Sequence, residues 1–235
     1  MKTYFDSIND YIAPFLDEFW GRCQNKVALF VRGSAIAHGS KYAIKPLDID
    51  ILLFVHGDTE SSSLISSEIS KACRKAYPEI PSLDIKVVDC SIVNPEYMMS
   101  ILLVSTTGKL LFGRNLALPI CHFKEMQNEL VRFSIDAAQS KLESVIKNTN
   151  PLIQKKRIPH LSKMILRIGG LMKIKEGFYT RSPSECALIM CELLPNLKES
   201  VSVILNSFNI ETSEVVLFNS YIEVLRIIKC EIYYG

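Results

Sequence analysis

Residues 27–55 read V-A-L-F-V-R-G-S-A-I-A-H-G-S-K-Y-A-I-K-P-L-D-I-D-I-L-L-F-V. Val27 to Arg32 has the apolar and β-branched content of a strand, and Gly33-Ser34 closes it. Ile49 to Val55 predicts a second strand, nearly all apolar beyond its acids, as expected of an interior strand covered on both faces. Asp48 and Asp50 flank one residue, so on extended backbone both carboxylates point to the same face. Further on, S-L-D-I-K-V-V-D (82–89) predicts a third strand, Leu83 to Val88, carrying Asp84. Three carboxylates converging beside a Gly-Ser turn suit Mg²⁺ and a triphosphate, because hard divalent cations take oxygen ligands. Gly33 lets the backbone approach a phosphate closely, and the Ser34 hydroxyl with nearby N–H groups can donate to its oxygens.

Each residue also has a plain structural role open to it. Gly33-Ser34 is a strand-ending turn, Asp48 caps a turn after Pro46, Asp50 sits at an exposed strand end, and Asp84 is an edge-strand charge. Burying Asp48 and Asp50 beside a core strand is costly without a cation or donors to compensate, and this favours the metal site. Asp89 is the rival third acid. It lies five residues from Asp84 and so faces the other side of an ideal strand, which fits a turn residue ending the strand.

The order of these motifs resembles the nucleotidyltransferase superfamily related to DNA polymerase β. Its signature is a strand ending in Gly-Gly or Gly-Ser, then acid-x-acid on the next strand, then an apolar-acid-apolar setting on a third. The resemblance implies an α+β fold, with a catalytic lobe built on a mixed sheet followed by an all-α helical bundle. It implies that Asp48, Asp50 and Asp84 are metal ligands and catalytic residues for two Mg²⁺ ions, and that Gly33 and Ser34 bind the nucleotide. The implied reaction moves a nucleoside monophosphate, AMP from ATP in the commonest case, onto a hydroxyl or phosphate acceptor. A small molecule, an RNA end or a protein hydroxyl all remain open as acceptors, the last two as toxin-like roles. A non-catalytic nucleotide-binding module is the rival from another class.

The whole chain sets bounds on these readings. It has 235 residues, enough for one large or two small domains, and 48% of them are hydrophobic, ample for a buried core. A formal charge of +2 does not support a broad electrostatic grip on a nucleic-acid duplex. The seven cysteines form no C-x-x-C pair and the four histidines are dispersed, which predicts reduced thiols in a cytoplasmic protein rather than a zinc site. Acids appear too early in M-K-T-Y-F-D-S-I-N-D for a secretory signal, and no uninterrupted apolar run is long enough to span a membrane.

Along the chain, Ile8, Ile12, Phe15, Leu16 and Phe19 form a helical stripe, and Pro14 places the helix start near Ile12. Leu64 to Tyr77 reads as a helix ended by Pro78 and Pro81. Asn94-Pro95 caps another helix running to about Val104. A short strand lies between the glycines of T-G-K-L-L-F-G-R-N, with Phe112-Gly113 as structural support. After His122 the strand signals largely vanish, which puts the boundary between residues 1–118 and 119–235. Helices are expected over Phe123 to Lys147, Pro159 to Lys175, a segment from the Ser182 cap to Leu194, Leu197 to Phe208 and Ser213 to Tyr233. Ser182 and Glu185 have capping-box spacing, with Glu185 expected to return the bond.

On the helix after Pro159, the apolar face is Leu161, Met164, Ile165, Ile168 and Met172. His160, Lys163 and Arg167 share a stripe bordering that face. K-M-I-L-R-I-G-G (163–170) is similar to a segment of aminoglycoside nucleotidyltransferases, whose two-lobe layout the chain also resembles. That resemblance implies nucleotide binding by Lys163 and Arg167; a solvated flank is the alternative. Gly169-Gly170 costs helix stability and calls for a kink or a tight contact. Tyr179 and Arg181 are placed to stack on a base and bind phosphate, or simply to connect helices. Arg32, Lys41 and Lys45 are further cations open to a phosphate, with solvated surface charge the alternative for the two lysines; acids buried in ion pairs with Arg32 would instead support the non-catalytic module. Glu125, Glu129 and Asp136 are candidates for an acidic acceptor pocket, or ordinary solvated charges.

Overall fold

The computed structural model describes residues 3–36, 48–148, 150–210 and 212–234. The chain divides into two compact units, Met1–Pro119 and Ile120–Gly235.

The first unit opens with α1 (Tyr4–Arg22), followed by β1 (Lys26–Arg32), a 3₁₀ turn over Gly33–Ile36, and β2 (Asp48–Val55). Then come α2 (Thr59–Ala76), β3 (Ser82–Asp89), α3 (Pro95–Thr107) and β4 (Gly108–Gly113). Among the described residues the strands form a four-stranded sheet in the order β3-β2-β1-β4. β1 runs antiparallel to both β2 and β4, while β2 and β3 are parallel, with α2 between them in sequence. The sheet is therefore mixed, and the architecture is α+β.

Alternation along the strands sorts the side chains into two layers. Leu29 and Val31 of β1 and Ile49, Ile51, Leu53 and Val55 of β2 join the buried cluster formed with α1 and α2. The other face carries Phe30 and Phe54, packed edge to face at 5.9 Å, with Tyr97 of α3 against Phe54 at 6.2 Å. At the end of that same face, the period of two brings up Asp48 and Asp50.

Helix α1 starts at Tyr4, eight residues before the start that Pro14 predicts. The Thr3 hydroxyl accepts from the Asp6 N–H at 3.1 Å and the Asp6 carboxylate accepts from the Thr3 N–H at 3.0 Å, a complete capping box. Pro14 is exposed. Its ring and the carbonyl it leaves unbonded at Asp10 therefore lie toward water, while Ile8, Ile12, Leu16 and Phe19 hold the other face in the core. Helix α2 likewise starts earlier than predicted, because Asp58 caps it by accepting from the Ser61 N–H at 3.1 Å. At β4, Gly113 has φ +82° and a β-carbon there would meet the Val27 carbonyl at 2.2 Å, so only glycine lets the edge strand close onto β1. Phe112 stacks on Trp20 at 5.6 Å beside it.

The second unit is helical throughout its described residues. It contains α4 (Gln127–Ile146), α5 (Pro151–Leu171), α6 (Pro183–Leu193), α7 (Lys198–Asn206) and α8 (Glu214–Tyr234), with short 3₁₀ turns between them. Helix α5 begins eight residues before Pro159, which is exposed inside it. The same solvent-face argument applies as at Pro14, and Pro151 supplies the favoured first-turn proline. Leu161, Ile165, Leu166 and Ile168 are buried, and the buried Ser162 hydroxyl lies 2.6 Å from that of Tyr221 on α8. Burial pushes the Tyr221 phenol up to about 12. Gly169-Gly170 marks a tight contact: added β-carbons would meet the Cys186 carbonyl at 2.3 Å and the Thr180 carbonyl at 2.0 Å. At α6 the Ser182 hydroxyl accepts from the Glu185 N–H, but Glu185 does not return the bond. Its carboxylate takes the Thr180 hydroxyl, which accepts from the Ser182 N–H at 3.2 Å. No described helix is long and apolar enough to cross a membrane.

Candidate active site

Strand register builds one row across the first unit's sheet. Asp84 on β3 pairs with Asp50 on β2, Asp50 pairs with Arg32 on β1, and Arg32 pairs with Gly108 on β4. Paired residues of adjacent strands share a face, so Asp84, Asp50 and Arg32 stand side by side on the face away from α1 and α2. Asp48 lies two residues before Asp50, on the same face, and pairs with Ser82. Asp84 is exposed, and Asp48 and Asp50 are half-buried.

The centre of the row is an ion pair. Arg32 Nη2 lies 3.2 Å from Asp50 Oδ1, with side chains 16% and 24% exposed. A guanidinium this sheltered requires a carboxylate partner. The other carboxylate oxygen faces Gly33, where a β-carbon would sit 2.5 Å from Asp50 Oδ2. Gly33 has φ +78°, a conformation that favours glycine, so its lack of a side chain serves both the turn and the carboxylate. Ser34 is exposed on the 3₁₀ turn that follows.

The acids share a face without closing into a cage. Among the described residues, no three His, Cys, Asp or Glu side chains stand close enough together to hold a metal ion. Arg32 supplies the positive charge that Asp50 meets here. The donor types, carboxylate oxygens on neighbouring strands, are those a hard divalent ion takes, and Gly33 lets the turn lie directly against the Asp50 carboxylate.

Asp89 has the separate role expected for it. It pairs with Val55 and so lies on the opposite face from Asp84. Its Oδ1 accepts from the Ser91 hydroxyl, from the Ser91 N–H at 2.8 Å and from the Gly57 N–H at 3.0 Å. Those bonds, the Ser91 hydroxyl first, lower its carboxyl from the usual range.

Lys163 and Arg167 belong to the second unit. Lys163 is exposed on α5, as is His160, while Arg167 is half-buried and its Nε donates to the Arg181 carbonyl at 3.4 Å. That bond and the Thr180 contacts make residues 179–181 a helix connection. Glu129 and Asp136 are exposed on α4, and Glu125 is exposed just before it. A groove of about 630 Å³ in this unit lies instead between α4 and α8, lined by Leu142, Glu143, Ile222, Leu225, Arg226 and Lys229. Lys41 and Lys45 lie outside the described residues.

The cross-strand pairing of Arg32 with Asp50 is the arrangement that the sequence reading set as the mark of a scaffold; it arises because an arginine ending one strand of an antiparallel pair falls opposite an acid near the start of the next. No protein-family model matches the chain, and no curated protein is significantly similar to it.

Proposed function

We propose that this chain is a metal-dependent nucleotidyltransferase, similar in site design to the DNA polymerase β-like enzymes. It moves a nucleoside monophosphate, AMP from ATP in the first instance, onto a hydroxyl or phosphate acceptor. The supporting observation is the shared face of Asp48, Asp50 and Asp84, with Gly33 against the Asp50 carboxylate. Asp48, Asp50 and Asp84 would hold Mg²⁺, which when bound activates the acceptor oxygen and neutralises the leaving pyrophosphate. Gly33 admits the triphosphate backbone-close, and the Ser34 hydroxyl donates to its oxygens. The acceptor oxygen attacks the α-phosphorus in line, the bond to the β-phosphate oxygen breaks, and pyrophosphate departs. The acceptor proton passes to Asp84, the most exposed carboxylate of the row. Lys163 and Arg167 of the second unit are proposed as nucleotide-binding residues.

The test is incubation of the protein with α-labelled nucleoside triphosphates, Mg²⁺ and a cell extract. Label transfer to a small molecule, RNA or protein, with pyrophosphate release, is expected and identifies the acceptor class. A second reading, a non-catalytic nucleotide-binding module, is favoured by the Arg32–Asp50 pair, which satisfies one acid without a metal. Nucleotide binding without metal-dependent pyrophosphate release would establish that reading in its place.

A further inference from the structure

We propose that the corner of the second unit joining α4 to α5 is a polyanion site that takes the phosphate backbone of a short single-stranded nucleic acid. Charge along the sequence points there first. Between Lys141 and Lys163 the chain carries five lysines and one arginine against a single acid, Glu143, so this stretch nets +5 in a protein whose total is +2. The rest of the chain is therefore net acidic, and the positive charge is gathered rather than spread. A basic block of this kind is an electrostatic footprint for phosphates.

The fold gives that block a place to hold them. A polar hollow of about 460 Å³ opens there, lined by Ser140, Glu143 and Ser144 of α4, by Lys147 and Asn148 just after it, and by Arg157 of α5. Arg157 is half-buried, and its Nη1 donates to the Ser144 hydroxyl at 3.3 Å, which holds the guanidinium at the wall of the hollow. Among the described residues no carboxylate pairs with it. Glu143, the one acid of the hollow, meets Lys147 at 3.5 Å with side chains 68% and 78% exposed, a pair that contributes little and yields readily. The Asn148 carboxamide oxygen already accepts from the Asn150 N–H at 2.9 Å. A guanidinium fork, an ammonium, two hydroxyls and an amide NH₂ are the donors that phosphate oxygens take. Confined to one corner, they suit a few nucleotides of single strand rather than a duplex track. Binding here requires no nucleotidyl transfer. That the bound strand's end is the acceptor is the one step that rests on the nucleotidyltransferase reading.

The test uses the full chain and a short fluorescein-labelled single-stranded RNA followed by anisotropy. Unlabelled DNA of the same sequence, phosphatidylserine vesicles and inorganic phosphate serve as competitors. Wild type should bind the RNA, with an affinity that falls as salt rises. Arg157→Gln and Lys147→Gln should each weaken binding by about tenfold and flatten the salt dependence by about one phosphate contact. Glu143→Gln removes the only repelling charge of the hollow and should tighten binding by about threefold. Lys198→Gln takes the same charge from α7 and should leave affinity within about twofold of wild type. Lys147 is exposed, so its variant carries the test should Arg157→Gln misfold. Competition by DNA as strong as by unlabelled RNA assigns the site to the shared backbone; weaker competition assigns it to RNA through the 2′-hydroxyl. No binding by wild type, or an equal loss in Lys198→Gln, would overturn the site. Displacement by the vesicles but not by DNA would make the corner a lipid-surface contact, and displacement by inorganic phosphate as readily as by RNA would make it a small-anion site; either overturns the proposal. None of these results bears on label transfer from a nucleoside triphosphate, so the two readings fail separately.

Discussion

Gly33 in the first unit and Gly169-Gly170 in the second are all positions where a β-carbon would collide, yet they meet different things. Gly33 abuts a half-buried carboxylate paired with an arginine. Gly169 and Gly170 abut backbone carbonyls of a neighbouring helix and loop. Close approach is one device with two uses. Against backbone it makes a seam, and the glycine is fixed by packing. Against a charged side chain it lets a carboxylate lie directly on the turn. What lies opposite the glycine, rather than the glycine itself, separates a candidate site from a joint.

Substitutions can break or sharpen this contrast. The largest stability effect is expected from Gly170→Ala, whose β-carbon would fall 2.0 Å from the Thr180 carbonyl. Overpacking against backbone should cost about 3 kcal/mol in urea unfolding. A loss under about 0.5 kcal/mol would show that the α5–α6 seam has slack.

Asp50→Asn and Asp84→Asn should each lower nucleotidyl transfer by at least about a hundredfold, judged against the cost of disturbing even outer-sphere partners of metals. Their stabilities should diverge. Asp50→Asn removes the carboxylate charge 3.2 Å from the sheltered Arg32 guanidinium and should lose about 1 kcal/mol, whereas exposed Asp84→Asn should stay within about 0.5 kcal/mol. Equal stability losses would mean the row is a structural network rather than a site.

Gly33→Ala should unfold about 1–2 kcal/mol more easily, from the left-handed backbone. Since its neighbour is a side chain that can swing, the larger consequence should be weaker Mn²⁺ binding. Intact Mn²⁺ affinity would put Gly33 with the seam glycines.

Lys163→Ala should weaken triphosphate binding by about tenfold, about 1.4 kcal/mol, with monophosphate binding unchanged. Equal affinities would leave Lys163 a solvated flank.

The smallest effect concerns the α1 cap. Bonds from Lys109, at 2.7 Å, and from Thr3 hold the Asp6 carboxyl well below the usual carboxylate range. A lowered folded-state value means stabilisation that is full above the ordinary value of 3.8 and is lost as the pH falls below it. The melting-temperature difference between wild type and Asp6→Asn should therefore be constant near neutrality and shrink in acid. A gap that widens on acidification would contradict the cap assignment.

Much of this was legible from residue pattern. The apolar run after Asp50 marked β2 as interior, and the period of two placed Asp48 with Asp50. The alignment of Asp50 with Asp84 was not legible, because register is decided between strands. Pro14 and Pro159 misled for a shared reason. Each proline was read as marking where a helix begins, but on an exposed face the carbonyl it orphans is satisfied by water and the helix runs through it. The return bond from Glu185 failed because Thr180, in a loop just before, offered its hydroxyl. An ion pair between Arg32 and the acids was one of two outcomes left open, because cross-strand neighbours are distant in sequence and only the register decides which acid the arginine meets.

The sheet order also bears on how the chain is made. β1 is flanked by β2 and β4, and β4 is the last strand of the sheet in sequence. During synthesis the row from Asp84 to Arg32 can assemble while one backbone edge of K-V-A-L-F-V-R still lies open. An apolar strand with an unpaired edge is a template for joining other chains. A fragment stopped at residue 107 would therefore keep every acid and still be expected to aggregate. The smallest soluble version of the acid row must reach Gly113, where the last strand has covered its neighbour.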